Sequence, residues 1–183
     1  MRYILILLTL VNIPALAQDL KTVKMDTVLM GSRFVFTAVS NNKEVAWEAI
    51  IAAKKEVIRI ESLISSWDED SETHRINVNG GIKPVKVSSE LFQLISRCLK
   101  ISKLSNGFFD ISFASIDKVW DFDKDYKTLP STERIAESVA KINFKNIILN
   151  KEESTVFLKE KGMKIVCGAI GKGYAANRAK AIM

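Results

Sequence analysis

Apolar and polar positions along this chain alternate, then recur at helical spacing, then alternate again. From Thr22 to Ser40 the pattern is extended, with Met30, Phe34, Phe36 and Ala38 set mostly among polar or small residues. Gly31-Ser32 interrupts that run, and both a hairpin and a bent strand fit. From Lys43 to Ser65, Ala46, Ile50, Ala53, Val57, Ile60 and Ile64 recur at three- and four-residue steps, which predicts a helix with one apolar face and Asn42 as its cap. A polar loop follows, Ser65 to Thr73, and it carries Trp67. Asn77 to Gly81 reads as a turn and Ile82 to Val87 as a short strand. A second helix runs from Ser88 or Ser89 to about Leu104, stopped by Asn106-Gly107. A third runs from Ser131 to about Ile142. The segments Asn146 to Leu149, Thr155 to Leu158 and Met163 to Cys167 read as an antiparallel meander, and Ala175 to Met183 as a final helix. That helix shows no stop signal, so the chain is expected to continue past Met183.

These elements predict an α+β fold, and 183 residues suffice for one domain with a real core. A composition 48% apolar and 26% charged belongs to a folded chain, not a disordered one. The formal net charge of +6 is dispersed, with no basic run, which suits attraction of an anionic ligand; no nucleic-acid partner is expected. The N-terminus changes the picture more. Arg2, the apolar stretch Tyr3 to Val11 and Pro14-Ala15-Leu16-Ala17 have the form of a signal peptide over residues 1–17. Residues 18–183 are then an exported domain, in the periplasm of a bacterium; an uncleaved leader would instead associate it with the inner membrane.

Candidate chemistry is sparse. His74 is the only histidine and reads as a surface residue in the polar loop, so no multi-histidine metal site is available. Cys98 and Cys167 read as two buried thiols. Trp67, beside acidic and hydroxyl residues, either stacks on a ring ligand or covers a helix end. Phe108-Phe109-Asp110 either line a pocket or begin a strand in the core. The most informative stretch is Cys167-Gly168-Ala169-Ile170-Gly171-Lys172-Gly173-Tyr174, read as a strand-to-helix turn. Its glycines allow close approach, and amides at a helix start together with Lys172 favour a phosphate. A tight turn with an exposed lysine is the plainer alternative. The spacing matches neither a Walker A loop nor the Rossmann fingerprint.

Four stretches taken in order resemble the ApbE-type FAD:protein FMN transferases. They are Met30-Gly31-Ser32-Arg33-Phe34, the Ser65-Ser66-Trp67 loop ahead of Arg75-Ile76-Asn77, Ser105 to Asp110, and Gly168 to Ala175. The resemblance implies an ApbE-like α+β fold, an antiparallel sheet or meander with packed helices, of which residues 18–183 are the N-terminal part and whose C-terminal half lies outside this chain. It implies an enzyme that uses FAD and Mg2+ to place FMN on a hydroxyl, usually of threonine, in an acceptor protein. A flavin-binding module without enzymatic activity is the alternative. By the same resemblance Met30 and Trp67 touch the flavin nucleotide, Phe108, Phe109 and Asp110 line its pocket, and Lys172 stands at the wall. Val166 stands where the family usually has an aspartate, leaving a backbone contact there, and Ala169 offers its carbonyl to the metal. No catalytic residue is assigned.

Overall fold

A computed structural model describes residues 19–117 and 129–183. The leader and the aromatics Trp120 and Phe122 lie outside the described residues. Strands β1 (Lys21–Leu29) and β2 (Ser32–Ser40) pair antiparallel, with Lys21 opposite Ser40 and Leu29 opposite Ser32. The extended run is therefore a hairpin. Its two-residue turn has Met30 at φ 50° and Gly31 at φ 64°, and paired positive φ values give a turn whose twist matches the strands. Val23 and Phe36 are buried, while Val28 and Val35 face outward.

Helix α1 (Lys43–Ile64) packs beneath the hairpin. Asn42 caps it, its side-chain oxygen accepting from the Glu44 and Val45 amides at 2.8 and 3.3 Å. The predicted apolar stripe is the buried face, joined by one charged residue, Glu56. The loop after α1 contains an element that its polarity concealed: α2 (Glu72–Val78), capped by Ser71, whose Oγ accepts from the His74 amide at 2.9 Å. His74 thus sits on a helix, half-buried, instead of in a loop.

After the two-residue strand β3 (Val85–Lys86), Ser88 caps α3 (Ser89–Leu104). Asn106 and Gly107 adopt positive φ, and the Gly107 amide closes on the Ser102 carbonyl at 2.8 Å, which is the predicted stop. Phe108 to Asp110 lead into a short 3-10 turn (Ile111–Ser115), not a strand. Helix α4 (Thr132–Val139) ends earlier than its pattern suggests. Strands β4 (Ile147–Asn150) and β5 (Thr155–Leu158) form the expected hairpin.

The third strand of that sheet is β3, in the order β3-β5-β4 with antiparallel neighbours. Met163 to Cys167, expected as a meander strand, joins no ladder. Side chains bind its backbone instead. The Asn77 amide group donates to the Ile165 carbonyl at 3.0 Å and accepts from the Ile165 amide at 2.7 Å. Ser115 Oγ does the same for Lys164, at 3.0 Å each way. Side chains thus supply the pairing for Lys164 and Ile165, and the Ile111 carbonyl accepts the Val166 amide at 2.9 Å. The chain then enters α5 (Gly168–Ile182), which packs on α1. Ile50, Ile60, Leu91, Ile95 and Ile165 are fully buried at the centre, each contributing about 1.5–3 kcal/mol of burial.

Candidate functional site

The glycine-rich stretch is helix from Gly168 onward, not a turn that ends at Ala175. Gly168, Gly171 and Gly173 are absent from the glycines with positive φ. What Gly171 provides is proximity. A Cβ there would meet the Ile64 Cδ1 at 2.4 Å and the Met30 Cε at 3.5 Å. The bare backbone of α5 therefore lies against the end of α1 and the hairpin turn.

Around that contact opens a cavity of about 310 Å³. The hairpin turn supplies Met30, the end of α1 supplies Glu61 and Ile64, and the following loop supplies Ser65 to Trp67. Val166 and then Gly168 and Lys172 of α5 close the other side. Each has a local reason for its place. Ser65 Oγ accepts from the Trp67 and Asp68 amides at 3.3 and 3.2 Å, which bends the loop back over the end of α1. Trp67 is left 91% exposed, an aromatic face with nothing packed on it, so it does not serve to cover the helix end. Asn77, by gripping Ile165, fixes Val166 in the wall. Met30 holds a left-handed conformation that a bulky side chain seldom adopts.

The polar lining sets Lys172 and the start of α5 on one side and Glu61 on the other. Cys167 begins α5 without a side-chain cap, and its carbonyl takes the Ile170 and Gly171 amides at 3.1 and 2.7 Å. The amides before those have no acceptor within the helix, and they carry the positive end of its dipole beside Lys172. Aromatic and aliphatic surface therefore adjoins a cationic rim, which suits a planar ring carrying phosphate.

Four predicted site residues from distant parts of the chain, Met30, Trp67, Val166 and Lys172, meet in this cavity. Phe108, Phe109 and Asp110 do not line it. Phe108 is 97% exposed, and Phe109 packs half-buried against the core. Both Asp110 oxygens are engaged by the fold. One accepts from the Ser112 amide and hydroxyl at 2.8 and 2.7 Å, and the other from the Phe144 amide at 2.8 Å. Ala169 is exposed in the first turn of α5, where helix geometry commits its carbonyl to the residue four ahead.

A second cavity, of about 380 Å³, shares Ser66, Trp67 and Val166 with the first and adds Phe113, His74 and Lys164. The only sequence signal for Phe113 was its place beside the Phe108-Phe109-Asp110 stretch. The two cysteines are free and buried, as expected. Burial raises Cys98 to about 11 and Cys167 to about 12, so neither is a nucleophile near neutral pH.

A charge cluster behind α5 was not anticipated from the pattern. Glu56 accepts from Arg59 at 2.8 Å and from Arg178 at 3.1 Å. Glu90 accepts from Arg59 at 2.7 Å and from the Tyr174 hydroxyl at 2.7 Å. Arg59, with Arg178 second, holds Glu56 well below the usual carboxylate range, at about 2. Burial and then Glu90 push Tyr174 up to about 12.

Fold and cleft together define an α+β domain with an open cleft between the hairpin turn, the end of α1 and the start of α5. The ApbE family model matches residues 30–183, and the chain belongs to that family. It is 28% identical over 162 residues to the FAD:protein FMN transferase of Klebsiella pneumoniae, covering 88% of this chain and 50% of the relative. It is 29% identical to that of Treponema pallidum, covering 69% of this chain and 38% of the relative. Among solved structures it is similar to the ApbE protein of Thermotoga maritima, at a TM-score of 0.77 and 28% identity, over 88% of this chain and 52% of that one. The flavin transferase ApbE of Vibrio cholerae shares the fold at a TM-score of 0.73 and 16% identity, over 88% and 53%. The chain spans about half the length of the curated relatives it matches.

Proposed function

We propose that this protein is a FAD:protein FMN transferase and that the cleft beneath the hairpin turn binds the flavin nucleotide. One observation carries the reading: Met30, Trp67 and the Val166 to Lys172 stretch, three regions far apart in sequence, line a single cavity at the uncapped start of α5. The names of the relatives support it. In this reading Trp67 and Met30 take the ring system and Lys172 with the first α5 amides takes the pyrophosphate. An acceptor hydroxyl, of threonine by family resemblance, forms a bond to the FMN-side phosphorus as that phosphorus parts from AMP.

Mg2+ belongs to the same proposal; the Ala169 carbonyl, already the acceptor for the residue four ahead, would meet it through its second lone pair. The described residues do not complete such a site, because no three acidic, histidine or cysteine side chains gather among them. Export and a periplasmic location follow from the leader-like residues 1–17. Among the described residues no helix is long and apolar enough to cross a membrane.

Incubation with FAD, Mg2+ and exported proteins of the same cell tests the activity. The expected result is an FMN-sized mass gain on an acceptor. FAD binding without any gain would reduce the reading to a flavin-binding module, and no binding would overturn it.

A further inference from the structure

We propose that Glu90 and Tyr174 are positioning residues for the cleft, and that their hydrogen bond fixes the rotation of α5 so that Lys172 and the Gly168 amide face the Met30 wall. The proposal rests on the flavin reading above. Gly171, Tyr174, Ala175 and Arg178 follow one another at helical spacing along α5, with Gly171 and Ala175 buried, Tyr174 half-buried and Arg178 exposed at the edge of the buried face. Gly171 meets Ile64, and Arg178 meets Glu56 about two turns earlier in α1, so the two helices run antiparallel. The buried residues of this face are Gly171, Ala175 and Ala179. Such small side chains bring backbones close but interlock weakly, and they leave rotation about the helix axis poorly defined.

The polar groups define it. Tyr174 reaches Glu90 at the start of α3 at 2.7 Å, and Arg178 reaches Glu56 in α1 at 3.1 Å. Arg59 ties the two carboxylates together at 2.8 and 2.7 Å. Three helices are thereby joined on the side of α5 away from the cleft. Lys172 lies between Gly171 and Tyr174 in sequence, so it cannot turn without breaking one of those contacts. Ile170 packs half-buried against the core in the first turn, and among the described residues no side-chain cap at Cys167 adds to it, so the Tyr174 bond is the polar tie in the first two turns of α5.

The test compares the full chain with Tyr174→Phe, Glu90→Gln and Glu90→Ala. It measures amide hydrogen exchange without ligand and FAD affinity by flavin fluorescence. For Tyr174→Phe, exchange at Gly171 to Gly173 is expected to rise about tenfold while α3 stays protected, and FAD binding to weaken about fivefold. Glu90→Gln keeps an acceptor oxygen for Tyr174 and is expected to lose less affinity than Glu90→Ala. Unchanged exchange in the first two turns of α5 would overturn the proposal. So would an equal rise across α3 and α5, which is the mark of a merely structural role. If the unaltered chain fails to bind FAD, the flavin reading falls, while the exchange pattern still decides whether this hydrogen bond sets α5.

Discussion

Gly81 and Lys172 show how differently single residues are constrained in this chain. Gly81 sits at φ 75°, and a Cβ there would stand 2.4 Å from the Lys161 backbone, which has nowhere to yield. Gly81→Ala is expected to cost about 3 kcal/mol, combining left-handed strain with overpacking, and to appear as a lower urea midpoint. Lys172 is exposed at the cleft rim and shows no ion-pair partner among the described residues. Lys172→Ala is expected to leave the melting temperature unchanged and to weaken FAD binding about tenfold. The family resemblance marked Met30, Trp67, Val166 and Lys172, and they meet in space. It marked Asp110 as well, but that carboxylate closes a 3-10 turn and binds the Phe144 amide, a partner 34 positions away that no local pattern reveals.

Among the elements, α1 and α3 were legible because long amphipathic helices repeat their apolar residues many times. Helix α2 was not, because its seven residues bury only Thr73 and Ile76. The glycines of α5 argued for a turn, yet all three are helical, and only Gly171 is seated on Ile64 while Gly173 faces open space. Met163 to Cys167 carries an apolar strand pattern, yet Lys164 and Ile165 pair with the side chains of Ser115 and Asn77, and the Val166 amide with the Ile111 carbonyl. Pairing of that kind leaves no trace in periodicity. Asn77→Ala removes both bonds to Ile165 and is expected to destabilise the protein by about 2 kcal/mol, at about 1 kcal/mol for each bond. Because Val166 is the next residue, the same substitution is expected to weaken FAD binding as well as lower the melting temperature.

For the molecule as a whole, the charge cluster joining α1, α3 and α5 makes stability depend on acidity. The Glu56 carboxyl is held near 2 in the folded protein, below its ordinary 4.5, chiefly by Arg59. Its contribution is fully present above about 4.5 and is lost as pH falls toward 2, because the unfolded chain takes up the proton first. The urea midpoint is expected to fall across that window, and Glu56→Gln to flatten the fall. On the proposed function, the cleft beneath the hairpin turn holds a flavin nucleotide. Titration of the purified chain with FAD, followed by flavin fluorescence, tests it most directly, with Trp67→Ala and Lys172→Ala alongside. Saturable binding that weakens about tenfold or more in each variant is the predicted result; no binding, or binding indifferent to both substitutions, would contradict it.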